Sequence, residues 1–185
     1  MAWWRAWALL GMLTAPFGAA WAHGFTAAML IPGDLPTARE QAMVTAFLLA
    51  AAERDVHPAQ QSDGHLGGLD VDLRVVRGGC GEEIRVAEAD VAMAPLACAP
   101  RPRAVPVWTG ARRTPPSIAE AEELARRLGV ALDSFRSRFA ARTGTPPPPE
   151  AVWAYLAAQA VDRAVRRLGG IEPREALARV LRQAR

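Results

Sequence analysis

Lysine is missing from this chain, whose 22 basic residues are all arginine and stand against 19 acidic ones. The arginines are scattered among the acids, no basic run tracks one face, and the net charge is only +3. A phosphate backbone is held by a contiguous basic surface, so nucleic acid is not an expected partner. Aromatic residues make up only 6% of the chain, and its 51% hydrophobic content is carried largely by alanine. Small side chains leave few anchors, so the core must be closely packed.

Only Cys80 and Cys98 carry thiols. Without C-x-x-C spacing and without neighbouring histidines they suit neither a dithiol redox motif nor a tetrahedral metal shell. A structural disulfide is the favoured reading, worth on the order of 3 kcal/mol for a loop of this size in an oxidising compartment. Two unrelated buried thiols are the alternative. A G-x-S-x-G elbow is also lacking, and Ser62, Ser117, Ser134 and Ser137 fall in loops, caps or helix surfaces. The run Arg77-Gly78-Gly79-Cys80-Gly81 has neither the lysine nor the helix start of a phosphate loop. These absences point away from an enzyme, and no cofactor is expected.

What is present begins with a leader. Arg5 supplies a positive start, Leu9, Leu10, Met12 and Leu13 lie in an apolar stretch, and Ala20-Trp21-Ala22 fits a small-x-small cleavage site. Pro16 and Gly18 interrupt the apolar run before it reaches the roughly 20 residues of a membrane span. Residues 1–22 are therefore expected to be a signal peptide rather than an anchor, and residues 23–185 a single exported domain, placed in the periplasm.

Along that domain, Phe25 to Pro32 is apolar enough to be a strand buried on both faces. Thr37 and Glu40 are spaced as a capping box for a helix running to about Asp55, with Val44, Phe47, Leu48 and Ala51 as its stripe. Val56 to Gly68 is polar and turn-rich, an exposed loop. Leu69 to Val76 alternates as a strand with one wet face near a sheet edge. Further strands are predicted at Asp90 to Pro95 and Ala104 to Trp108, the last weakened by Pro106. The second half is helical. Ser117 and Glu120 form another capping box before a helix closed by Gly129, and a helix with Leu132, Phe135 and Phe139 ends at Thr143-Gly144. After the stiff connector Pro146 to Pro149 comes a helix from Glu150 to Leu168, with Trp153, Leu156, Ala160, Val161 and Ala164 facing inward. Pro173 starts the last helix. The expectation is an α/β fold with a small, mostly parallel sheet covered by helices.

The opening strand, the helix containing Glu40-Gln41-Ala42-Met43 and Ala46-Phe47-Leu48-Leu49-Ala50, the Gly67-Gly68 loop and the strand from Leu69 resemble the start of type I periplasmic solute-binding proteins. That is the branched-chain amino-acid, or leucine-binding, class of ABC importer components. Phe135-x-x-Arg138-Phe139, Gly144, the proline connector, Tyr155, Gln159 and Ala160, and Arg166-Arg167-Leu168-Gly169-Gly170 resemble its closing helices. Members of that class are considerably longer and carry a second lobe that closes over the ligand. The resemblance is thus to one lobe with its middle shortened, because Arg77 to Ala89 is too brief for the usual crossover of a dozen or more residues plus turns. It implies that the N-terminal and C-terminal segments meet as one layer of helices against strands.

Ligands of open parallel sheets sit beyond the carboxyl ends of the strands. Gly33 and Asp34, then Leu96, Ala97 and Cys98, then Trp108, Thr109 and Gly110 occupy those loops. The class holds an amino acid there with hydroxyls and backbone amides. Thr109 offers a hydroxyl, whereas Ala97 and Cys98 stand where another would be expected. The resemblance implies a non-catalytic solute-binding or accessory component of an ABC-type system. Its partner would be a small solute, a second copy of the chain, or a periplasmic protein such as a transporter or dehydrogenase subunit. The rival reading is a copper-binding or redox protein in which the mature N-terminal His23 chelates metal with help from His57 or His65.

Overall fold

The computed structural model describes residues 24–53 and 62–184. The leader, its cleavage site, His23 and His57 lie outside the described residues.

The strands are β1 (Gly24–Pro32), β2 (His65–Leu66), β3 (Leu69–Gly78), β4 (Glu83–Arg85), β5 (Val91–Ala94), β6 (Arg101–Arg103) and β7 (Val107–Thr109). The helices are α1 (Thr37–Ala52), α2 (Ile118–Arg127), α3 (Leu132–Thr143), α4 (Pro149–Leu168) and α5 (Arg174–Gln183). The main sheet has the order β2-β3-β1-β5-β7. All its pairings are parallel except the β2–β3 hairpin. The protein is a mixed α/β domain with a mostly parallel sheet wrapped by helices.

β1 is central because its side chains are apolar on both faces. Phe25, Ala27, Met29 and Ile31 point into the helical layer, and Ala28 and Leu30 into a second, smaller core. Its neighbour β5 splits in the same way, with Val91 and Met93 on one side and Ala92 and Ala94 on the other. β3 pairs along the whole of β1, and its exposed Asp72 and Arg74 match the wet face expected beside an edge.

The helical layer joins the two ends of the chain. α4 is buried nearly all round, not along a single stripe. Ala151, Ala154, Ala157, Ala158, Ala160 and Ala164 have no bulk to hold neighbours apart, so α1 closes on one side and α2, α5 and the sheet on others. Pro149 occupies the first turn, where a missing N–H costs nothing, and Gly169 at φ 71° ends the helix in the left-handed conformation. Met43, Ala46, Phe47 and Ala50 of α1 belong to the same core, while Val44 and Leu48 of the predicted stripe are only partly buried.

The shortened middle is built without helices. Segments between β3 and β7 lay Ile84, Val86 and Val105, joined by Val107 of β7, against Ala28, Leu30, Ala92 and Ala94, and so cover the second face. β4 and β6 pair in parallel as a small separate ribbon, Ile84 opposite Pro102. Cys80 and Cys98 form a disulfide with their Cα atoms 4.7 Å apart, tying the ribbon's two approaches together. Pro100 lies so close to Gly78 that a Cβ there would come within 2.9 Å of its ring.

Two local expectations are corrected. Thr37 is the first helical residue and not the cap, because Pro36 takes the N-cap position and no side chain caps the helix. Glu40 instead pairs with Arg77 of β3. The fourth sheet strand begins at Val107, not Ala104: Pro106 has no N–H to give and contributes only its carbonyl, which accepts from Ala92 N at 2.8 Å. At α2 half of the capping box is realised: Ser117 Oγ accepts from Glu120 N at 3.3 Å, while the Glu120 carboxylate pairs with Arg113 and not with the Ser117 amide.

Candidate functional site

Parallel strands put the carboxyl ends of β1, β5 and β7 on one rim, and two clefts open there. The first, of about 200 Å³, lies where the sheet order reverses, between the loops after β1 and β5. Asp34, Leu96 and Cys98 line it, faced by Thr114 to Pro116 and Glu150. Its β1 wall is braced from β3: Arg77 pairs with Glu40 and donates to the carbonyl of Leu35 at 3.0 Å. Gly33 is engaged in the same turn, its N–H donating to Gly78 O at 2.7 Å, and Ala97 is exposed to one side.

The second cleft is larger, about 550 Å³, and half open. Thr109, Gly110 and Ala111 form one wall as the chain leaves β7, and α2 forms the other with Glu120, Glu123, Leu124 and Arg127. The α2 wall is oriented by its Ser117 cap, and the floor is Trp153 of α4, whose indole N–H donates to Ser117 O at 3.2 Å. Gly110 is required here, since a Cβ would run into the carbonyl of Pro95 and to 2.9 Å from the Trp108 ring.

The charges on this rim are of both signs. Glu120 pairs with Arg113 at 2.8 Å and Glu123 with Arg126. Arg112 and Arg127 are exposed and make no ion pair among the described residues. The arrangement offers two guanidinium groups and a hydroxyl around an indole, while the Gly110 and Ala111 amides are already spent on Ala94 O and Pro95 O, each at 2.9 Å. Guanidinium and hydroxyl groups of this kind hydrogen-bond small polar solutes.

Of the residues singled out in the sequence, Asp34, Leu96 and Cys98 thus meet in one cleft and Thr109 and Gly110 in the other. Trp108 reaches neither. It is fully buried, 6.5 Å from the Trp153 ring, with its indole N–H donating to Ala184 O at 2.9 Å. His65 sits in β2 with Nε2 3.0 Å from Asp70. Among the described residues, no cluster of three histidine, cysteine or acidic side chains is placed to hold a metal ion.

A polar network that the sequence did not single out lies at the other end of α1. Glu53, the residue that follows α1, accepts from the Tyr155 hydroxyl at 2.5 Å, from Gln159 Nε2 at 2.8 Å and from Arg138. Burial, and next the hydrogen bond to Glu53, push the Tyr155 phenol well above its ordinary value. The available signal was Gln159, a polar residue in the middle of an alanine-rich apolar helix.

No family model, curated protein or solved structure matches the chain.

Proposed function

We propose that this chain is an exported, non-catalytic solute-binding or accessory component of an ABC-type transport system, built like a shortened single lobe of the type I class. The observation that carries the reading is the pair of clefts at the carboxyl ends of the parallel order β3-β1-β5-β7, the smaller at the point where that order reverses and the larger beyond the edge strand β7. Ligands of open α/β sheets bind in that crevice.

The larger cleft suits a small zwitterion or acid. Arg112 and Arg127 would take a carboxylate, Thr109 would add a hydroxyl, and Glu123 would face an ammonium group. A half-open cleft buries less of a ligand than an enclosed pocket, so affinity for a solute alone is weak. A transporter or dehydrogenase subunit, or a second copy of the chain, would supply the covering surface.

The test is a thermal-shift screen of the exported protein against amino acids and small carboxylates, run beside affinity capture from periplasmic extract. A concentration-dependent rise in melting temperature with an amino acid supports solute binding. If no solute moves the melting point while a transport subunit co-purifies, the accessory role stands and solute binding is abandoned. If neither occurs, the reading fails.

A further inference from the structure

The Glu53 network borders a pocket of about 480 Å³ remote from the clefts just described. Because β1 and β3 are parallel, α1 must run back against them, which puts Glu53 at the amino ends of the strands. α4 supplies Tyr155, Gln159 and Arg163, α3 supplies Ser134 and Arg138, and the backbone from Gly129 closes one side.

The charges around this pocket do not cancel. Its lining carries two guanidinium groups and one carboxylate. Glu53 is committed to Arg138, Tyr155 and Gln159. Arg163 makes no ion pair among the described residues, and its one hydrogen bond is a long one, 3.4 Å from a terminal nitrogen to Gly129 O. Its Nε is buried with no hydrogen-bond partner among the described residues. An unsatisfied buried donor is costly, more so on a charged group. The buried Nε is closed to a ligand, so a carboxylate in the pocket meets the terminal nitrogens, whose end-on fork its two oxygens match.

The surroundings are pre-arranged. The Tyr155 ring stacks on Phe135 with centroids 4.1 Å apart, fixing the phenol, and Gln159 is only 5% exposed. Ser134 stands at the exposed mouth. We propose that this pocket is a second binding site, specific for a small organic carboxylate, in which Arg163 forms the anion fork and the Glu53 network holds the opposite wall. The site is independent of the solute reading, which concerns the other end of the sheet.

Isothermal titration of the exported protein with propionate, succinate and inorganic phosphate tests it. Saturable binding of a carboxylate is expected, weakened about tenfold or more in Arg163→Gln and also weakened in Arg163→Lys, which keeps the charge and loses the fork. Ser134→Trp, at an exposed helix position, blocks the mouth and abolishes binding without touching Arg163, so the proposal remains testable should Arg163→Gln fold poorly. No saturable binding of either carboxylate, tighter binding of phosphate than of both, or unchanged affinity in Arg163→Gln and Ser134→Trp would each overturn the proposal.

Discussion

The indole nitrogen of Trp108, on the edge strand β7, donates to the main-chain carbonyl of Ala184 just past α5, at 2.9 Å. This bond fastens the C-terminal end of α5 to the sheet. Trp108→Phe removes the donor and should cost about 1 kcal/mol. Trp108→Ala also empties a fully buried site and should cost about 3 to 5 kcal/mol. Urea denaturation followed by circular dichroism measures both.

Tyr155 is the chain's single tyrosine, so no second phenol contributes to its ionisation difference spectrum. Burial, and then Glu53, raise the folded-state value above the unfolded one. The stability this contributes is fully present below the unfolded value of about 10, and is lost as pH rises from there through the folded value. An alkaline absorbance titration should show no tyrosinate at the pH where free tyrosine ionises, and tyrosinate should appear there once urea is added.

Cys80 and Cys98 close a loop with a sequence separation of 18. Replacing both by serine should destabilise the domain by roughly 3 kcal/mol in the chain-entropy model. Because the bridge ties the approaches to β4 and β6, hydrogen exchange should rise first in Glu83–Arg85 and Arg101–Arg103 and later in β1.

Asp162 of α4 is 3% exposed and accepts from Gly67 N and from Arg166, each at 2.8 Å. Asp162→Ala leaves the hairpin amide without this acceptor while the exposed Arg166 turns to solvent, and should cost about 1 to 2 kcal/mol. Asp162→Asn keeps one acceptor oxygen and should cost less. Gly67→Ala should be damaging in its own right, since the φ of 68° is strained for alanine and a Cβ there meets Val165. Thermal melts of the three variants order them.

The helices and the central strands were legible because their signals are local. The Ser117 cap, Gly129, Gly144, Gly169 and the run from Phe25 to Pro32 all act where the sequence places them. The Thr37–Glu40 box was not realised because Pro36 holds the cap position and Glu40 is drawn to Arg77, a partner 37 residues away. β4 and β6 escaped notice because Glu83-Ile84-Arg85 and Arg101-Pro102-Arg103 are too short to show a period, and they exist only as each other's partner. The depth of α4 was equally hidden, since alanine is neutral in a periodic pattern and becomes decisive only when neighbours approach from every side. For the site, the rim loops were found from strand polarity alone. Their division into two clefts depends on the chain from Thr114 to Ser117 and on α2, which join the rim only in three dimensions.

The most direct test of the central claim, that the carboxyl rim of the sheet receives a small solute, is a nitrogen–proton correlation spectrum of the exported protein titrated with leucine and with glutamate. The account predicts saturable shifts at the amides of Thr109, Gly110 and Ala111 and along Ala119–Arg127, reduced in Arg127→Gln. Amides on that rim that stay unmoved through the titration, with both amino acids, would contradict it.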